Sequence, residues 1–274
     1  MKPDEIEQVE NYRTKVARIF GEIFATETGR FRDGQRLLRR FNEAVDHALT
    51  GSPLRSVDEA HNELCIARAL LLNTTPRFSS VAYEPPLTAC AKSIDFCGQS
   101  SEGLTTFVDV KTIMPEPKDR WDQFEKAREE ERFPNNHIIG LSKDWMGGEI
   151  WHGWLAGRGR MLEYTLELEE KIKEGGLKGR KDTILILALC GTGFHWQESQ
   201  LEDFADFYRS GRHRSDDSFA KMEAHFIKEE KLSLERTVTA FACMHRKRTA
   251  VLPTFLHWNV GGPADPERLF LSSW

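Results

Sequence analysis

Residues 183–190 read TILILALC, the longest apolar run in the chain. A run of this length without polar alternation is the pattern of a strand covered on both faces. Such a strand needs helices on each side of its sheet. The run is too short to cross a bilayer.

The surrounding sequence supplies the covering elements. Val9, Val16, Ile19, Phe20 and Ile23 recur at helical spacing, as do Leu37, Leu38, Phe41, Val45 and Leu49, before Gly51-Ser52-Pro53 breaks the pattern. A third helix begins near Ser56 or Asp58, either of which can cap it, with Val57, Ala60, Leu64, Ala67 and Leu71 as its stripe. Glu63 falls at the edge of that stripe. Strand-like runs follow at 78–83, 92–97 and 105–113, and the last two are joined by the turn-like segment 98–103. Charged residues 118–132 read as a helix between prolines, and residues 161–174 as another ended by Gly175-Gly176. After the apolar strand come helical patterns at 200–209 and 217–230, then strand-like runs at 237–244 and 250–258. This order predicts a mixed α/β sheet flanked by helices. Residues 1–55 are expected to form an N-terminal helical extension and residues 56–274 the main domain.

Of the 274 residues, 39% are hydrophobic and 30% charged, the balance of a folded globular chain. A net charge of −5 rules out a generic basic coat, so any nucleic-acid partner must meet local basic patches. The five cysteines show no CxxC spacing and read as reduced, buried thiols. With no charged-then-apolar pattern at the start, the expectation is a cytoplasmic protein with no membrane partner. No G-x-S-x-G, P-loop or H-E-x-x-H string occurs, which argues against a serine hydrolase, a P-loop NTPase or a zincin.

The chemistry-bearing residues lie on the hairpin. Alternation puts Ser93, Asp95 and Cys97 on one face of the first strand, with Ile94 and Phe96 on the other. In the second strand Phe107, Asp109, Lys111 and Ile113 share a face, opposite Val108 and Val110. A turn centred on Glu102 sets Asp95 across from Asp109. Like charges so placed destabilise a sheet, and a divalent cation compensates them. Magnesium favours hard oxygen ligands and takes one or two protein carboxylates. Such an ion polarises a phosphoryl oxygen and lowers the pKa of a water. Lys111 is placed to orient or deprotonate that water, or to neutralise a pentacovalent phosphorane. Glu63 is placed to help hold a second ion or its waters.

Asp95, then Asp109-Val110-Lys111 after a hairpin, with Glu63 on the preceding helix, resembles the PD-(D/E)XK nuclease superfamily, the restriction-endonuclease-like fold. The resemblance covers roughly residues 56–195 and implies a core of helix, three strands, helix and strand. It implies that Asp95, Asp109 and the Val110 carbonyl hold Mg²⁺ or Mn²⁺, that Lys111 assists catalysis, and that the substrate is nucleic acid, DNA by analogy. Ile94 stands where the motif has proline. Some members carry a glutamine and a tyrosine on the next helix. Gln123 matches the first as a substrate contact, but Ala127 occupies the second position.

Other features receive plainer readings. Gly191-Thr192-Gly193 reads as a tight turn rather than a phosphate loop. Cys243 and His245 match no common zinc spacing and read as a buried thiol and a surface histidine. Trp121, Trp145, Trp151 and Trp154 read as packing residues, and a homodimer through that region is one expectation. Of the basic groups, Arg209, Arg212 and Arg214 around Gly211 are the candidate phosphate-gripping loop. The rival expectations are a catalytically inactive module of the same fold that binds nucleic acid or protein, and a carboxylate-metal hydrolase acting on a small phosphate ester.

Overall fold

In the computed structural model, residues 3–52, 54–74, 77–87, 92–113, 158–180, 182–192, 198–211, 223, 227, 233–247, 250–253 and 255–260 are described. Among them, helices α1 (Pro3–Thr26), α2 (Gly34–Leu49) and α3 (Arg55–Leu72) precede strands β2 (Phe78–Tyr83), β3 (Phe96–Ser100) and β4 (Thr105–Ile113). A short β1 (Phe31–Arg32) lies between α1 and α2. Then come α4 (Arg158–Glu174), β5 (Thr183–Thr192), α5 (Glu198–Ser210), β6 (Ala240–Arg246) and β7 (Phe255–Val260). The sheet is mixed and its strands lie side by side in chain order. The β2–β3, β3–β4 and β6–β7 pairs are antiparallel, and the β1–β2, β4–β5 and β5–β6 pairs are parallel.

The apolar run behaves as its composition requires. Ile184, Ile186, Ala188 and Cys190 enter the core beneath α1, α2 and α3. Leu185, Leu187 and Leu189 enter a second core with α4 and α5. Both faces of β5 are therefore covered, the arrangement that parallel strands with crossover helices impose. The helices of residues 1–55 share the first core: Val16, Phe20, Phe41 and Val45 pack with Leu64, Phe96 and Val108.

Several details differ from the expectations above. The strand expected at 92–97 begins only at Phe96, and Ser93 makes just an isolated bridge to Pro86. The chain bends at Asp95, so Ile94 packs in the second core and Phe96 in the first rather than sharing a face. Gly98 is a strand glycine, not a turn glycine: a Cβ there would sit 2.7 Å from Cδ1 of the Phe78 ring. The turn is made later, where Ser100 Oγ accepts from the N–H groups of Glu102 and Leu104 and Gly103 takes φ +85°. Toward the C-terminus, β6 starts at Ala240 because the N–H groups of Thr237 and Val238 go to Glu169 and Tyr208. The strand expected from 250 starts at Phe255, since Ala250 N–H closes a turn on the Lys247 carbonyl. β1 has no sequence signal of its own, being two residues long. The segments 118–132 and 217–230 (all but residues 223 and 227), and the four tryptophans, lie outside the described residues.

The placement of α3 governs the polar interior. It packs on the sheet by one side and is covered by α1 and α2 on the other, so Asp58, His61, Asn62 and Glu63 are all buried. Buried polar groups must be paired. Asn62 Nδ2 donates to Thr112 Oγ1 on β4 at 2.9 Å. Arg246, fully buried at the end of β6, donates from Nη2 to Asp58 at 2.9 Å and from Nη1 to the Tyr12 hydroxyl at 2.8 Å. His61 lies between the Tyr12 hydroxyl and the Val251 carbonyl. Burial, then the nearby Arg246 charge, holds His61 well below the usual imidazole range, so it is neutral. This network ties α1, α3, β4 and β6 together. Removing one partner of a buried pair leaves an uncompensated charge. We therefore expect Asp58→Ala to cost about 3–5 kcal/mol in urea unfolding, against less than about 1 kcal/mol for the exposed pair mutant Arg55→Ala.

Candidate active site

A cleft of about 360 Å³ opens where β3 leaves β4. β3 pairs with β4 only as far as Phe96–Val108, and β4 runs on to Ile113. The Val110 N–H, past the last paired position, is met instead by the Asp95 carboxylate, Oδ2 accepting at 2.5 Å. The split brings Glu63, from the α3 side of the sheet, into the same cleft as Asp109 and Lys111, which face α4.

Asp109 has no solvent exposure. Its Oδ1 accepts from Lys171 Nζ of α4 at 2.7 Å. Its Oδ2 is buried without a hydrogen-bond partner among the described residues, with Lys111 Nζ 3.7 Å away. Lys111 donates to Glu167 at 2.8 Å and lies 5.5 Å from the centre of the Tyr164 ring. Burial pulls the Lys111 ammonium down, but Asp109, Glu167 and Asp95 together outweigh it and its pKa ends raised. Lys111 is therefore protonated at neutral pH. Asp95 is pushed well above the usual carboxylate range by burial, then by Asp109 and Glu63, against the Val110 N–H and Lys171.

Glu63 is almost fully buried, deeper than the stripe edge at which the sequence placed it, because α1 and α2 cover the outer side of α3. Its Oε2 accepts from Arg40 Nη1 of α2 at 2.5 Å and from the Tyr83 hydroxyl of β2 at 2.9 Å. Burial raises its pKa to about 7 against the opposing pull of Arg40 and Tyr83.

The structure thus brings Asp95, Asp109, Val110, Lys111 and Glu63 to one cleft. Arg209 is not among the lining residues; it lies on α5, exposed and paired with Asp206 at 2.8 Å. Gln123, Arg212 and Arg214 lie outside the described residues. Lys171 and Tyr83 were not singled out from the sequence. Tyr164, Glu167 and Lys171 follow i, i+3, i+7 spacing, which marks a shared helix face but not the strand it meets. No sequence signal pairs Arg40 with Glu63 across two helices.

The cleft is lined by the cations Arg40, Arg55, Lys111 and Lys171. Against these four stand five carboxylates, Glu59, Glu63, Asp95, Asp109 and Glu167. With all nine groups charged, one divalent cation turns this slight negative excess into a slight positive one and favours the ionised forms of Asp95 and Glu63. Among the described residues no three His, Cys, Asp or Glu side chains form a ready-made metal cage. Magnesium needs fewer, one or two carboxylates with the other positions left to water and ligand. The orphaned Asp109 Oδ2, the raised Asp95 carboxyl and the hard-oxygen donor set fit such an ion.

The chain matches no protein-family model and no curated protein sequence. Among the described residues no helix is long and apolar enough to cross a membrane.

The raised Asp95 pKa has a stability consequence. A carboxyl that holds its proton more tightly when folded loses stability as pH rises from its unfolded value, about 3.9, through its folded one. Asp95→Asn removes that penalty. In EDTA it is expected to raise the melting temperature at pH 8, with the gain vanishing below about pH 4. A melting temperature unchanged at pH 8 would show that Asp95 is not destabilised by its neighbours.

Proposed function

We infer that this protein is a metal-dependent nuclease of PD-(D/E)XK type, hydrolysing phosphodiester bonds of DNA. The observation carrying this reading is the buried Asp109, with one carboxylate oxygen orphaned beside Asp95 and Lys111 in an open cleft. The order α3, β2, β3, β4, α4, β5, with β3 antiparallel and β5 parallel to β4, supports the restriction-endonuclease-like arrangement.

Asp95, Asp109 and the Val110 carbonyl would hold Mg²⁺ or Mn²⁺, which supplies a Lewis acid for a phosphoryl oxygen and acidifies water. The chain's own residues do the rest. Lys111, protonated and beside Asp109, supplies fixed positive charge where negative charge grows on the phosphoryl oxygens. That role suits it better than proton abstraction, for which its raised pKa leaves it the wrong charge. Glu167 and Tyr164 hold the ammonium in place. Lys171 pairs with Asp109 until an ion enters.

The Lys171–Asp109 pair also favours the second reading, a catalytically inactive module binding nucleic acid. A cation built into the chain already meets part of the need for an ion. The two readings separate in one assay. Incubation with plasmid DNA and Mg²⁺ or Mn²⁺ is expected to give cleavage that falls at least about a hundredfold in Asp109→Ala and Lys111→Ala. Millimolar Mn²⁺ is expected to raise the melting temperature of the wild type but not of Asp109→Ala. DNA bound intact, with no response to metal, would establish the inactive module.

A further inference from the structure

Arg40 reaches the cleft from α2, outside the segment that carries the acidic hairpin. Among the described residues its guanidinium is held at one nitrogen. Nη1 donates to Glu63 Oε2 at 2.5 Å and to the Tyr83 hydroxyl at 2.6 Å. Both acceptors are buried, and Tyr83 also donates to Glu63. A guanidinium has five N–H donors in a planar fork. The Nε and Nη2 donors of Arg40 have no hydrogen-bond acceptor among the described residues, while 40% of the side chain remains exposed. The nearest other carboxylate, Glu84, lies 3.8 Å from Nη1 and is paired with Arg36.

We propose that Arg40 is a substrate-binding residue whose free Nε/Nη2 edge grips a phosphate of the nucleic-acid backbone, with Glu63 and Tyr83 acting as positioning residues that aim it. This rests on the nuclease reading for its ligand. The open edge is the one that forms parallel bidentate bonds to phosphate. The anchoring at Nη1 removes side-chain freedom before the ligand arrives, so little ordering entropy is lost on binding. Arg40 and Lys111 line the same cleft, so a backbone phosphate held by Arg40 lies within reach of the carboxylate pair. On this account Glu63 acts through an arginine rather than on an ion, and α2 is part of the site.

The test is binding of a short fluorescein-labelled DNA duplex, read by anisotropy over a salt series with Ca²⁺ replacing Mg²⁺, alongside Mg²⁺-dependent cleavage. Arg40→Gln is expected to weaken binding about tenfold or more and to lower the slope of log Kd against log salt by about one, the loss of one phosphate contact. Arg40→Lys keeps a cation beside Glu63 and is expected to restore the slope but not the affinity, since lysine is a point charge without a fork. Tyr83→Phe is expected to raise KM with kcat little changed. If Arg40→Gln is too unstable to purify, Arg40→Lys decides alone. Either Arg40 variant, folded as judged by its melting curve and binding with wild-type Kd, overturns the proposal. Should the wild type neither bind nor cleave DNA, the nuclease reading falls and this inference with it. Wild-type cleavage that the Arg40 variants match sinks this inference alone.

Discussion

The parallel pairing of β4 with β5 runs unbroken from Thr105–Thr183 to Ile113–Gly191, and the site is built on it. β5 is apolar on both faces, so it forces helices onto both sides of the sheet and fixes β4 between two cores. Once β4 is fixed, pleating leaves no freedom. Val108 and Val110 must enter the core under α3, and Asp109 and Lys111 must face α4. A one-residue slip would bury Lys111 in the aliphatic core, at a cost no local interaction could offset.

β3 follows β4 only part of the way, and the gap it leaves makes the sheet permeable to chemistry. Groups on opposite faces of a sheet are ordinarily separated by its backbone. Here Glu63 from one side and Asp109 from the other line a common cleft. Burial, then the crowding of Asp109 and Glu63, raises the Asp95 pKa. The chain moderates this with Lys171 on Asp109 and Arg40 on Glu63, one cation for each buried acid. Asp95 receives a backbone N–H and no cation within ion-pair distance among the described residues. The resulting deficit of positive charge lies at Asp95, in the cleft where Asp109 Oδ2 has Lys111 at 3.7 Å but no hydrogen bond among the described residues.

Sequence carried the architecture further than the site. Strand β5 was legible because its composition admits one environment, and the β3–β4 register because Gln99–Thr105 and Phe96–Val108 flank a turn at Glu102. Extended by one pair, that register would set Asp95 across from Asp109, but the ladder stops at Phe96–Val108 and Asp95 turns its carboxylate to the Val110 N–H. The sequence alone also makes a cation from solvent the compensating charge. The structure supplies part of it from Lys171 on α4, 62 residues after Asp109 in the chain. Helical spacing shows which residues share a face, not which strand that face meets. Glu63 was misjudged for a related reason. The apolar stripe of α3 suggests one buried side, whereas α1 and α2 bury the other with polar pairs, Tyr12–His61 and Arg40–Glu63, that leave no hydrophobic signal. The bend at Asp95, which sends Ile94 and Phe96 into different cores, has no local signature in SIDFC.

The central claim is that Asp95, Asp109 and the Val110 carbonyl form one divalent-cation site beside Lys111. A crystal soaked in Mn²⁺ and measured at the manganese edge tests it most directly. The account predicts an anomalous peak within about 2.0–2.4 Å of oxygens from all three residues, with Lys171 displaced from Asp109. An empty cleft with the Lys171–Asp109 bond intact at saturating Mn²⁺ would contradict it.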